Sequence, residues 1–501
     1  MAHREVETAF EVGPDVPLPD LSGVAGVART QGPASARLVA TYWDTPGRDL
    51  TRAGVSLRRR TGGDDAGWHL KVPAPARGPA RLRTEHRRPG DASSPPADLV
   101  ALVRGRVREQ PLAPVVELVT DRSTTRLVAD DGTVLAEVAD DVVTVHPVGG
   151  DDTAVRTWRE WEVEAVAGDE VLVEAVGAVL ASAGGTVRAA SKVRRALGDA
   201  VPDPPSTEPR DGSAGEAVRA ALARHVARLL AADVGLRLGD DEAVHDARVA
   251  VRRLRAALAV YRPVVDRAVT DPVRDRLRHV GHVLGAARDA HVERAVLAER
   301  LDAEPVELVL GPVAARVAGD RSAAHAEALQ EVAALLDDPE HLALLALLES
   351  WSVDLPRGPR AGEPAQVVVP RRARRAWRRL ERLAASVPRG EGRDDAWHEV
   401  RKAARRARYA SEVAQPVVGS PARRSARRAR DLQDVLGDRN DTVVRRATLR
   451  RLGVEAHLDG ENAFTYGRLH ALEQCAAERA DARAATVLQR AVARGHRRWA
   501  S

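Results

Sequence analysis

Residues 244–258 read VHDARVAVRRLRAAL, and residues 397–411 read WHEVRKAARRARYAS. At one constant offset His245 meets His398, Arg248 meets Arg401, Arg252 meets Arg405, Arg253 meets Arg406 and Arg255 meets Arg408. The direct implication is a supersecondary unit written twice. At roughly 100° per residue, the histidine and the first, second and fourth of these arginines fall within a helical sector of about 80°. Opposite them lie Ala247, Val251, Leu254 and Leu258 in the first copy, and Val400, Ala404, Ala407 and Ser411 in the second. These are small enough for close helix packing, so each copy has a core face and a cationic face. Like charges at i,i+4 repel by about a few tenths of a kcal/mol. Arg248 with Arg252, and Arg401 with Arg405, therefore suit a surface that a polyanion neutralises. For the two histidines, no acidic or histidine partner repeats at ligand spacing on the same face, which argues against metal ligation by them.

The clearest break along the chain is GDAVPDPPSTEPRDGSAG over residues 198–215, where proline, glycine and small polar residues erase any apolar period. It separates residues 1–197 from residues 216–501, with the helical repeats expected at roughly 216–365 and 366–501. Before it, short segments of period two alternate with turn signals near Asp64, Asp131 and Gly149, which predicts strands. After it, long alanine, leucine and arginine segments of period near 3.6 predict a helical bundle. The stretches HVLGAARDAHV and DVLGDRNDTVV repeat the duplication. Their glycines, Gly285 and Gly437, are expected to end one helix, with Asp289 and Asp441 capping the next. The fold class is thus α+β and multidomain.

A chain of 501 residues exceeds one hydrophobic core. Its 77 basic and 72 acidic residues nearly cancel, so local segregation of charge matters more than the sum. Lysine survives only at Lys71, Lys192 and Lys402, each a candidate for work that needs a compact, titratable ammonium. One cysteine, Cys475, excludes an internal disulfide framework. The longest apolar run, Leu342 to Leu348, is far too short to span a bilayer. A soluble, cytoplasmic protein without membrane partners is expected.

In the strand-rich half, charges alternate with apolar residues at unusual density. Glu5 shares a strand face with Glu7, Arg58 with Arg60, Arg83 with Glu85, and Glu160 with Glu162 and Glu164. Together they point to a barrel with a charged lumen. Carboxylates and guanidinium groups in one lumen suit a metal-bound polyphosphate, with Mg²⁺ or Mn²⁺ on the carboxylates and arginine forks on the remaining phosphate oxygens.

This constellation resembles the CYTH domains of the triphosphate tunnel metalloenzymes. It runs from EVETA at Glu5 through YWDT at Tyr42, LRRR ending at Arg60, HLK ending at Lys71, STTR ending at Arg126, EVADD with Asp140 and EWEVE with Glu162 and Glu164 to SKVRRAL with Lys192. Ala9 stands where the family has lysine. The resemblance implies an antiparallel eight-stranded tunnel that hydrolyses a triphosphate. Glu5, Glu7, Asp140, Glu162 and Glu164 would hold metal, with Glu160 as a register alternative. Arg58, Arg60, Arg83, Arg126 and Lys192 would hold phosphate. Lys71, near Tyr42, would lower the tyrosine pKa or handle the proton of the attacking water.

The second half resembles the CHAD domain, a duplicated helical module, from about residue 214 onward. That resemblance implies binding of inorganic polyphosphate in a basic groove by His245, Arg248, Arg252, Arg253, Arg255, His398, Arg401, Lys402, Arg405, Arg406 and Arg408, and hence association with polyphosphate granules. Nucleic acid is disfavoured: aromatic residues are 3% of the chain and none lies in the first basic stripe. The alternative to an active hydrolase is a polyphosphate-binding protein whose tunnel is degenerate at Ala9.

Overall fold

The computed structural model describes residues 2–74, 81–148, 155–388, 392–493 and 498–499. The turn expected around Gly149 lies outside them. The chain divides into two compact units, Met1–Pro204 and Pro205–Ser501.

The first unit is built on strands β1 (Ala2–Val12), β2 (Arg29–Asp44), β3 (Ser56–Thr61), β4 (Gly67–Pro73), β5 (Arg81–Arg88), β6 (Ala113–Val128), β7 (Val134–Pro147), β8 (Arg156–Ala165) and β9 (Thr186–Arg188). Their order is β5-β4-β3-β2-β6-β7-β8-β1-β9, and a further β5–β1 pairing closes β1 to β8 into an antiparallel eight-stranded barrel. The short β9 continues the edge of β1 beyond the reach of β5. Between the strands lie the short helices α1 (Asp49–Arg52), α2 (Ala97–Leu102) and α3 (Arg104–Val107), followed by α4 (Glu170–Ser182) and α5 (Lys192–Leu197).

The strand pattern is inverted relative to an ordinary barrel, because its outer wall is covered. Phe10, Trp161, Val163 and Ala165 point outward and pack against Val173, Val176 and Leu180 of α4. The alternate set is left to face the lumen, where the charges collect. One end of the lumen is filled by Ala40, Tyr42, Leu118, Val143 and Val145 against Val193 and Ala196 of α5. Asp44 of the YWDT stretch is buried and structural: it accepts from the backbone N–H of Thr45, Leu50 and Thr51 and from the Thr51 hydroxyl at 2.7–2.9 Å, fixing the turn into α1.

The second unit is helical: α6 (Ala214–Arg237), α7 (Asp241–Val260), α8 (Arg267–Asp302), α9 (Val313–Asp337), α10 (Pro339–Val353), α11 (Ala365–Ala385), α12 (Arg393–Val418), α13 (Ser420–Leu458) and α14 (Phe464–Val492). The basic stretches are α7 and α12, which pack against one another. Ala247, Val251, Leu254 and Leu258 are buried in one core, while Val400, Ala404 and Ala407 are buried in another with Trp377, Trp397 and Leu436.

The helix breaks expected at Gly285 and Gly437 do not occur. Both glycines sit inside long continuous helices, α8 and α13. The missing side chain serves a different purpose. A Cβ on Gly285 would lie 3.9 Å from the Arg248 guanidinium, and one on Gly437 would lie 3.5 Å from that of Arg401. The glycines clear room for the first stripe arginine of each copy to lie against the neighbouring helix. Asp289 is likewise no cap: it pairs with Arg248 at 2.7 Å.

Candidate functional site

The barrel lumen is a cavity of about 840 Å³ lined by Glu5, Glu7, Tyr42, Arg58, Arg60, Lys71, Arg83, Arg122, Arg126, Glu162, Glu164 and Lys192, among others. Strand register explains the groupings. Glu5 faces Arg83 across β1 and β5, Lys71 faces Glu85 across β4 and β5, and Tyr42 faces Arg58 across β2 and β3. Glu7 faces Glu164, and Ala9 faces Glu162, across β1 and β8.

Two acidic groups differ in how they are neutralised. Around α5, the Lys192 ammonium lies 2.7 Å from Glu162 and 3.0 Å from both Asp141 and Glu160. Arg122 grips Asp141 bidentately at 2.8 and 2.7 Å and reaches Glu162 at 3.0 Å. Burial raises the Glu162 carboxyl, but Lys192 and Arg122 outweigh it and hold the group well below its usual range.

The other group is Glu5, Glu7 and Glu164; among the described residues Lys71 is the cation nearest to it, with Arg83 3.6 Å from Glu7 and Arg87 3.7 Å from Glu5. The Lys71 Nζ lies 2.7 Å from Glu5, 3.7 Å from Glu85 and 4.0 Å from Glu7. Burial pushes the Glu5 carboxyl up to about 7 against the pull of Lys71, and Glu164 and Glu85 push the same way. Burial likewise raises Glu164. Both Glu5 oxygens are buried, and apart from the Lys71 ammonium beside Oε2 neither has a hydrogen-bond partner among the described residues. Crowded, buried carboxylates of this kind fit a hard divalent cation. Glu5, Glu7 and Glu164 are the residues placed to hold one, with Glu162 alongside.

Two sequence expectations need correction. Asp140 faces out of the barrel, where Arg159 clamps it bidentately at 2.8 and 2.6 Å and also binds the carbonyls of Pro14 and Val16. Strand alternation puts its neighbour Asp141 inside instead. Lys71 is not the partner of Tyr42. The Tyr42 hydroxyl accepts from Arg58 at 3.3 Å; burial raises its pKa, and Arg58, Lys192 and Arg60 together bring it below the ordinary value. Arg126 lies at the exposed edge of the lumen, paired with Glu137 at 2.9 Å. Arg122, two repeats of the alternation deeper along β6, was missed by motif reading although it shares the strand face of Arg126.

In the helical unit, α7 and α12 bring four stripe arginines together. Burial and the neighbouring Arg401 and Arg252 push the Arg405 guanidinium down to about 9. Burial also lowers Arg401, which feels Asp441 in its favour and Arg252 and Arg248 against it. The Nε atoms of Arg401 and Arg405 are buried without hydrogen-bond partners among the described residues. Arg252 donates to the Tyr409 hydroxyl at 2.6 Å. His398 sits 3.0 Å from Asn440, and His245 is held below its ordinary pKa by burial and by Arg288, the residue equivalent to Asn440. Burial, and then Arg278 and Arg274, hold the Arg255 guanidinium below its ordinary pKa, with Arg406 adding less.

Three other expected groove residues are placed elsewhere. Arg408 is buried with Glu412 at 2.9 Å and Gln433 at 3.3 Å, and Arg253 pairs with the same Glu412 at 3.1 Å. Their charge is spent inside the bundle, because the packing of α12 on α7 and α13 buries that sector of the helix. Lys402 is exposed and paired with Glu399.

Residues 3–196 match the CYTH domain model, and residues 220–450 match the CHAD domain model. The chain is a CYTH–CHAD protein. Two uncharacterized Mycobacterium tuberculosis proteins, from strains CDC 1551 / Oshkosh and ATCC 25618 / H37Rv, are each 34% identical to it over 95% of this chain and 94% of their own length. Among solved structures, PptA from Streptomyces chartreusis is similar at 19% identity and a TM-score of 0.47, over 55% of this chain and 99% of PptA. The CHAD domain from the plant Ricinus communis is similar at 24% identity and a TM-score of 0.42, over 59% of this chain and 96% of that domain. CYTH family members include triphosphatases and cyclases, and their tunnel enzymes are generally divalent-metal dependent. Among the described residues, no helix is long and apolar enough to cross a membrane.

Proposed function

We propose that this CYTH–CHAD protein binds inorganic polyphosphate on the arginine face shared by α7 and α12, and hydrolyses tripolyphosphate or a related triphosphate in the tunnel with Mg²⁺ or Mn²⁺. The observation that carries the hydrolase reading is the division of the lumen into a neutralised acidic group and an under-neutralised one. Arg58, Arg60, Arg83 and Arg122 line the wall on which phosphate oxygens are gripped. Glu5, Glu7 and Glu164 would hold a divalent ion, which would supply charge neutralisation and orientation of water. Lys71, with its ammonium on Glu5, is the group placed to hold or pass the proton of that water.

Ala9 is the departure that puts catalysis in question, and the neighbouring cations bear on it. Ala9 lies opposite Glu162, the carboxylate already served by Lys192 and Arg122. A lysine at position 9 would add a third cation to that carboxylate, so its absence leaves no acidic group without a partner there.

The test is phosphate release from tripolyphosphate with each metal, beside the Glu5→Gln/Glu7→Gln double variant. Turnover that vanishes in the variant supports the triphosphatase. No turnover with either metal replaces it by the binding and granule-targeting reading, with the tunnel as a phosphate receptor. For the helical unit, long-chain polyphosphate should outcompete duplex DNA at equal phosphate concentration; displacement by DNA sinks the polyphosphate assignment.

A further inference from the structure

Outside the tunnel, and one helical turn before His245 on the basic helix, three ionisable side chains converge from three helices. Asp241 lies in the first turn of α7, His291 on α8 and His325 on α9. The Asp241 Oδ2 is 2.6 Å from His291 Nδ1, and its Oδ1 is 3.2 Å from His325 Nε2. One potential ligand atom from each residue falls within 4.8 Å of the other two. The two imidazole rings are 5.6 Å apart and tilted by 57°, so they converge without stacking.

The contacts are close but are not made as hydrogen bonds. Asp241 Oδ1, His291 Nδ1 and His325 Nδ1 are all buried without a hydrogen-bond partner among the described residues. Buried polar atoms left unpaired are costly; Asp241 Oδ1 and His291 Nδ1 lie at the cluster itself, and the His325 nitrogen turned toward Asp241 is Nε2. The side chains of Asp241 and His291 retain 29% and 27% exposure, which leaves one side of the cluster open to water.

The duplication shows that the fold itself does not require this cluster. In the second copy, Val443 stands at the position of His291, and Asp394 at that of Asp241. Asp394 instead accepts from Arg439 at 2.6 Å. The first copy alone has gathered two imidazoles onto the carboxylate.

We propose that Asp241, His291 and His325 form a binding site for one first-row transition ion of the Zn²⁺ type, with a coordination position open to solvent. Two imidazole nitrogens and one carboxylate select borderline ions over Mg²⁺, which prefers oxygen ligands and retained water. The ion would staple the start of the basic helix to α8 and α9. It is separate in ligands and in chemistry from the cation of the tunnel.

The experiment uses tag-free full-length protein stripped with a chelator and dialysed against Zn²⁺ in excess Mg²⁺, so that oxygen-ligand sites are already filled. The expected result is one tightly held Zn²⁺ per chain, and visible d–d absorption when Co²⁺ replaces it. The His291→Gln/His325→Gln variant should lose Zn²⁺ affinity by more than about 100-fold, beyond the roughly 10–100-fold typical of outer-shell changes, and should lose the Co²⁺ band. Glu5→Gln should keep both. Asp241→Asn, which preserves shape, gives the same readout if the double variant folds poorly. Failure of the wild type to retain Zn²⁺ against Mg²⁺, or retention by folded histidine variants equal to wild type, overturns the site.

Discussion

Replacing Arg405 by methionine removes one guanidinium from the crowded face of α7 and α12 while keeping much of its volume. Burial and the like charges of Arg401 and Arg252 depress its pKa to about 9. The folded-state value lies below the unfolded one, so the penalty for the charged form is present in full at neutral pH. At about 1.4 kcal/mol per tenfold, that depression sets an upper bound on the order of 5 kcal/mol. Counter-ions and relaxation at a partly exposed site leave a net effect of roughly 1–2 kcal/mol. Arg405→Met should therefore stabilise the anion-free protein by about that amount in chemical denaturation. The same variant should bind polyphosphate roughly 10- to 100-fold more weakly, the worth of one charge-assisted contact at about 1.5–3 kcal/mol. The slope of log affinity against log salt should fall by roughly 0.7, as for one contact to a single strand. Loss of stability without anion, together with unchanged affinity, would refute the assignment and make Arg405 a packing residue.

Lys192→Met leaves Asp141, Glu160 and Glu162 with one cation fewer in a buried setting, so the tunnel should lose about 3–5 kcal/mol when denatured in chelator; a loss below about 1 kcal/mol would mean that Arg122 alone suffices. Asp44→Ala removes the acceptor for three backbone N–H groups and one hydroxyl, and should cost about 3–5 kcal/mol without changing the charge of the lumen; wild-type denaturation would contradict its role in the turn into α1. Burial, with Arg253, Arg228 and Arg224 close by, lowers His225 to about 3. Its folded pKa lies below the unfolded one, so the stability it carries is present above about pH 6.5 and lost as pH falls toward 3, at about 1.4 kcal/mol per pH unit. His225→Gln should flatten that slope in denaturation series, and an unaltered slope would place the titrating group elsewhere.

Much of the fold was legible because two periodicities dominate the chain. Inward charges at period two, set against apolar residues, told of a charged barrel. A basic stripe at helical period, repeated in register, told of a duplicated bundle. What failed were readings that depend on a single residue's offset or on a partner distant in sequence. Asp140 and Asp141 are adjacent acids, and only the pairing of β7 with β8 decides which one enters the lumen. The glycines in the two LG stretches look like helix ends, because a glycine that yields room to an arginine of another helix leaves the same letter. Arg408 fits the stripe by angle, yet Glu412 and Gln433 claim it inside the bundle.

By itself the sequence determined the two architectures, the boundary region between them, the duplication, and the kinds of charge each site would carry, since each follows from local period and composition. The tertiary structure decided which charges neutralise one another. Lys192 and Arg122 quiet one acidic group while Glu5 and Glu164 stay under-neutralised; Arg401 and Arg405 crowd one another while Arg253 and Arg408 pair with Glu412; and Asp241, His291 and His325 meet at all. Electrostatic pairing falls off over a few ångströms of space, and distance along the chain does not encode it.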